Sequence, residues 1–175
     1  MLRRAQGFAL IDLLFVCGII GVLSGIALPR LLTAKQAAGA AAAIGSMRAI
    51  NSAELTYAIT CGNGFYAPKL TTLGVPPPGS QEPFIAPGLS SGDTVTKSGY
   101  LIQVSAAPYS GAPATCNGLD PDSAGQGFRA AADPSEPSNF RHFATNASNT
   151  IYEDTSSLLG SIPEIGEPAS GHPIH

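Results

Sequence analysis

The chain has 175 residues, of which 12% are charged, with a formal net charge of -3 and a pI near 5.5. That length holds one domain with a modest core, and the acidic balance leaves no basic footprint for nucleic acid. Apolar residues make up 44% of the chain but crowd its first third. Gly, Pro and Ser dominate the remainder, and eleven of the fifteen prolines lie between Pro68 and Pro137, which marks long irregular connections.

Residues 1–7, MLRRAQG, are short and basic through Arg3 and Arg4, a charge that keeps this end cytoplasmic by the positive-inside tendency. Phe8 to Leu28 follows as an apolar run of about 31 Å when helical, enough to span a hydrocarbon core. Its one charge is Asp12, and a carboxylate at the centre of a bilayer costs ~2.5–3.5 kcal/mol on insertion scales. Three readings compete. A secretory signal cut at Gly25-Ile26-Ala27 would have a shorter apolar region without an acid at its start. An ordinary single-span anchor explains the length and gives Asp12 no purpose. A leader removed after Gly7 creates a cationic amino group on Phe8, four residues from Asp12. In a staggered array the carboxylate of one copy then meets the amine of the next, and an unpaired buried charge penalises every wrong register.

The stretch GFALIDLLFVCGIIGVLSGIALPRLL resembles the N-terminus of type IV pilins and type II secretion pseudopilins. Gly7, Phe8, Asp12 and Pro29 occupy the matching positions of that signature. The likeness is closest over residues 1–30 and extends more weakly to about Tyr66. It implies cleavage between Gly7 and Phe8 by a membrane prepilin peptidase, with N-methylation of Phe8, which leaves the amine charged. It also implies a pilin-like α+β fold, a long N-terminal helix laid on a small antiparallel sheet. The family usually has Glu where this chain has Asp12, so the pairing chemistry is kept with one methylene less reach.

Pro29 ends the apolar run and predicts a kink, since an interior proline removes a helix hydrogen bond and crowds the preceding turn. A helix stop at Pro29 is the competing reading. Residues 30–61 contain no further proline and are rich in alanine, the best helix former, with Gly62 as a C-terminal signal. Gly45, Ala49, Ser52, Thr56 and Thr60 form a stripe of small residues. Ile44, Met47, Ile50, Leu55, Tyr57 and Ile59 are assigned to the opposite arc, where a sheet would pack. Gly21 and Gly25 are a close-approach pair at GxxxG spacing, which alone is background. From Phe8 to Cys61 such a helix is about 80 Å long.

Residues 62–98 read as a connecting loop with a helical turn near Pro83–Leu89. Strand-like runs follow at Tyr100–Ala106, Gly127–Ala132, Arg141–Thr145 and Thr150–Glu153, separated by turn chemistry. They make 99–159 a β-sheet head, and 160–175, rich in Pro and Gly, a flexible tail. Cys61 and Cys116 lie outside the apolar run that holds Cys17. Beyond a bacterial inner membrane they are candidates for a disulfide, the alternative being two unrelated thiols.

No nucleophile, base and orienter can be grouped, and no phosphate-loop or dinucleotide motif is present, so the chain is expected to be non-enzymatic and without cofactor. His142 reads as a surface or packing histidine, and His172 and His175 as part of tail composition. Asp120 and Asp122 are weak calcium candidates in an oxygen-rich loop that lacks the full spacing of a calcium motif; a solvated turn is favoured. The expectation is a prepilin with residues 8–29 in the inner membrane and N-terminus cytoplasmic, later a filament at the cell surface. Its expected partners are further copies of itself, the prepilin peptidase and methyltransferase, the assembly machinery of the inner membrane, and lipid before assembly. A secretion pseudopilin is the nearest alternative, and a monomeric membrane-anchored binding domain the alternative of another class.

Overall fold

The computed structural model describes residues 10–174. The chain divides into two units after Ala37, and one helix, α1 (Leu10–Thr60), contributes to both. Two short helices follow, α2 (Leu70–Leu73) and α3 (Pro87–Ser90), and then six strands: β1 (Thr94–Lys97), β2 (Tyr100–Ser105), β3 (Arg129–Pro134), β4 (His142–Asn146), β5 (Ile151–Asp154) and β6 (His172–Pro173). The fold class is α+β. The helix does not stop at Pro29, which lies inside α1.

The strands form one sheet in chain order, each antiparallel to the next. The register follows from alternating burial and from turn chemistry. Val95 sits opposite Ile102, Val104 opposite Ala130, and Thr145 opposite both Ala130 and Ile151. Ser98 and Gly99 join β1 to β2 with φ of 52° and 82°, the paired positive values whose twist suits a two-residue hairpin. Between β4 and β5, the Asn146 side chain accepts the Ser148 amide and its carbonyl accepts the Asn149 amide, a local turn built by asparagine.

In the unit beginning at Ala38, α1 buries Ala40, Ala43, Met47, Ile50, Tyr57 and Cys61 against Tyr100, Ile102, Val104, Ala130, Ala132 and Phe143. Met47, Ile50, Glu54, Tyr57 and Cys61 recur every three or four residues, the spacing of one helix face. Gly39 permits the close approach of the β1–β2 turn, because a Cβ there would lie 2.8 Å from the Ser98 carbonyl oxygen. The other side of the sheet has its own small core of Ala131, Ala144 and Tyr152 under Leu158 and Ile162. Successive alanines 130, 131 and 132 therefore serve both sides of a sheet covered on each face.

Several expectations are corrected. Leu55 and Ile59, assigned to the sheet-facing arc, are 45% and 74% exposed. At 100° per residue they stand more than a quarter-turn from Glu54, the middle of the buried face. The small stripe from Gly45 to Thr60, by contrast, is exposed throughout, as its place opposite the sheet-facing arc implies. The connecting loop 62–98 contains α2, α3 and the edge strand β1. The tail 160–175, expected to be flexible, pairs through β6, buries Ile162, and holds the Asn146 amide with the carbonyls of Pro163 and Gly166. Strand bounds shift by one or two residues for β3, β4 and β5, where cross-strand partners continue past the apolar positions.

Candidate functional site

The first residues of α1 are the candidate site. An 18-residue window of this helix has a mean hydropathy of 2.4 and none of it is buried, so the helix is long and apolar enough to cross a membrane. Leu10, Ile11, Leu13, Leu14, Phe15, Ile20, Val22 and Leu23 are all exposed, Leu10 at 74%. A helix exposing apolar side chains all round needs an apolar surrounding, either lipid or other helices. Asp12 lies in its first turn, where the positive end of the helix dipole favours an acid. Among the described residues it is in no ion pair. Gly7 and Phe8, the expected processing pair, lie outside the described residues.

At the other end of α1, Cys61 and Cys116 are joined by a disulfide with a sequence separation of 55 and a Cα–Cα distance of 4.8 Å. The Cys116 amide also donates to the Cys61 carbonyl. Beside the disulfide, the Asn117 amide donates to the carbonyls of Thr72 and Val75 and its side-chain oxygen accepts the Thr115 hydroxyl. The helix terminus, α2 and the 115–119 loop are thus tied together. Cys17 is free and exposed. No family model matches this chain, and no curated protein or solved structure matches it either.

The remaining expected site residues are spread over the head. Asp120 and Asp122 are exposed; the Asp122 carboxylate accepts the Gly111 amide while its own amide donates to Ala112, which closes a turn. Among the described residues no three His, Cys, Asp or Glu come together as a metal would require. His142 Nδ1 is 2.7 Å from Asp133 Oδ1, and Asp133 Oδ2 accepts the Ser157 hydroxyl. The carboxylate stands between histidine and serine, so the imidazole does not touch the hydroxyl and cannot activate it. The cluster instead fastens the start of the segment that covers the outer face of the sheet. His172 lies on β6 opposite Glu153, and His175 lies outside the described residues.

Two buried polar features had no signal in the sequence. The Thr145 hydroxyl donates to Asn51 Oδ1 at 3.0 Å, and the Asn51 amide reaches the Asn149 carbonyl, linking α1 to the β4–β5 turn through a satisfied polar pair. The second is Glu54, fully buried on the core face of α1 beyond the membrane-length segment. Burial pushes its carboxyl well above the ordinary range, partly offset by the hydrogen bond from the Ala67 amide. The Tyr57 phenol is likewise raised, first by burial.

Proposed function

We propose that this chain is a structural subunit, a prepilin of a type IV pilus or pilus-like filament, cleaved after Gly7 and polymerised through the first half of α1. The observation that carries this reading is Asp12: an acid in the first turn of an exposed, membrane-length apolar helix, in no ion pair among the described residues. The Phe8 amine of a neighbouring copy would supply that charge once the leader is removed. Each charge would offset the desolvation of the other, so the pair would contribute register more than net stability. The head, closed by a disulfide, suits an oxidising compartment. Catalysis plays no part in this reading; the chemistry on the chain itself is one peptide cleavage and one amine methylation, both performed by another enzyme.

The test uses the full chain expressed with a prepilin peptidase and a pilus assembly system. Sheared surface material should contain this protein with an intact mass that begins at a methylated Phe8. Asp12→Ala should lower the filament yield at least tenfold while the membrane pool persists, and Asp12→Glu should retain it. A membrane-anchored monomer that keeps Met1, or normal filaments from Asp12→Ala, would overturn the assignment. Fibres confined to the periplasm would turn it toward the secretion pseudopilins.

A further inference from the structure

Glu54 sits where a helix core face ordinarily carries Leu. It is 0% exposed, with Met47, Ile50, Tyr57 and Cys61 before and after it on the same face of α1. Oε2 accepts the Ala67 amide at 2.9 Å, and Oε1 has no hydrogen-bond partner among the described residues. Among the described residues Glu54 is in no ion pair. The titratable side chains of the main core are Tyr57 on α1, Tyr66 in the segment after α1 and Tyr100 on β2. Tyr57 is oriented toward Asn117 and Tyr100 accepts from Asn139. Cys61 is bonded to Cys116. Lys69, two residues beyond Ala67, is exposed and paired with Asp93. A carboxylate accepts at both oxygens and donates at neither, so an ionised Glu54 would hold an unsolvated charge facing apolar walls. A carboxylic acid, with Oε2 as its carbonyl oxygen, would leave only a neutral hydroxyl unpaired.

We infer that Glu54 is a proton-operated latch: as a neutral carboxylic acid it lets α1 pack against the segment that follows the helix, and on losing its proton it loosens that packing, because the unsolvated charge left on the buried face outweighs the stronger bond a carboxylate makes to the Ala67 amide. The latch lies on the same segment that the disulfide ties down, seven residues along α1 from Cys61. The two fasteners differ in what opens them, base for one and reductant for the other. The direction follows from linkage. The folded head retains a proton that the unfolded chain gives up in the ordinary Glu range. Folding is therefore fully favoured below that range and weakens as pH rises through the folded value. This inference goes beyond the filament reading and holds whether or not the chain polymerises.

The test compares the full chain with its Glu54→Gln variant in detergent micelles, by denaturant unfolding at successive pH values from 5 to 9. The amide of Gln is neutral at every pH, and groups elsewhere, including the histidines, cancel in the difference. The folded-to-unfolded ratio of the native chain should fall, relative to the variant, by up to tenfold per pH unit until the folded carboxyl ionises. The Ala67 amide should change its chemical shift with that same midpoint. A difference that stays constant from pH 5 to 9 would overturn the latch. Should Glu54→Gln not fold, the carboxyl carbon shift of labelled Glu54 in the native chain decides instead. A protonated signal at pH 7 supports the latch, and a carboxylate signal refutes it.

Discussion

Removing the Cys61–Cys116 bond tests how the head is held to the end of α1. The bond closes a loop with a sequence separation of 55, and in the chain-entropy account a loop of that length removes roughly 4 kcal/mol of freedom from the unfolded chain. The folded side should lose little, because the surroundings are independently fastened. The Cys116 amide keeps its bond to the Cys61 carbonyl, Asn117 keeps Thr72 and Val75, and Cys61 itself is buried in the main core. The double variant Cys61→Ala/Cys116→Ala should therefore retain the native fold and lose about 4 kcal/mol. For a unit of this size that corresponds to a fall in melting temperature of roughly 10–15 °C. Calorimetry or circular dichroism of the full chain in micelles, with and without reductant, supplies the measurement. The reduced native chain and the double variant should melt together, well below the oxidised chain. If oxidised and double-variant proteins melt within about 3 °C of each other, the loop argument fails and the local hydrogen bonds alone define this junction.

Two further outcomes follow from close contacts and from charge. Gly62→Ala should be severely destabilising, by about 2 kcal/mol or more. Its new Cβ would fall 2.1 Å from the Phe65 carbonyl oxygen, a backbone atom that cannot rotate away; a denaturant midpoint equal to that of the native chain would show the turn to be freer than drawn. Arg141 and Glu153 give the head an acid-sensitive element. The hydrogen bond from Arg141 holds the Glu153 carboxyl below its ordinary range. Its contribution is therefore present above that range and lost as pH falls through the lowered value. Arg141 is nearly half exposed, so solvent and salt limit the effect to under about 1 kcal/mol. Arg141→Met should abolish that part of the stability loss between pH 5 and 3, and an unchanged acid profile would assign the loss to other groups.

The long helix is legible because its signals are redundant over many residues: an apolar run, then an alanine-rich run, with no proline between Pro29 and Pro68. The strands β2 to β5 are legible because each carries apolar residues between turn-forming neighbours. β1 is hidden for the opposite reason: of Thr94–Lys97 only Val95 is buried, and an edge strand of three polar residues cannot be told from a loop. β6 has two residues and exists only because β5 offers its free edge. Its neighbours Leu158 and Ile162 are ordinary apolar residues in a glycine- and proline-rich stretch, and their role appears only once the outer face of the sheet needs cover.

The face of α1 shows where periodicity reasoning loses its hold. Assigning apolar residues to the core and small ones to the outside places Leu55 and Ile59 inward and says nothing of Glu54. The structure reverses both placements. The angle decides it: Glu54 lies a full two turns from Met47 and from Cys61, both buried, whereas Leu55 and Ile59 lie on the side of Ser52. A charged residue at the centre of a core face is rejected by any reading based on hydrophobicity, because that reading assumes the charge. Dropping the assumption makes Glu54 a neutral side chain of nearly the volume of Leu with one amide to hold. Asp12 poses the same problem at the other end of the helix, with a different physical answer. Glu54 is enclosed by its own chain and is in no ion pair among the described residues, so in the proposed latch it sheds its charge. Asp12 is exposed on the apolar stretch, so in the proposed filament its counter-charge would come from the copy that covers it.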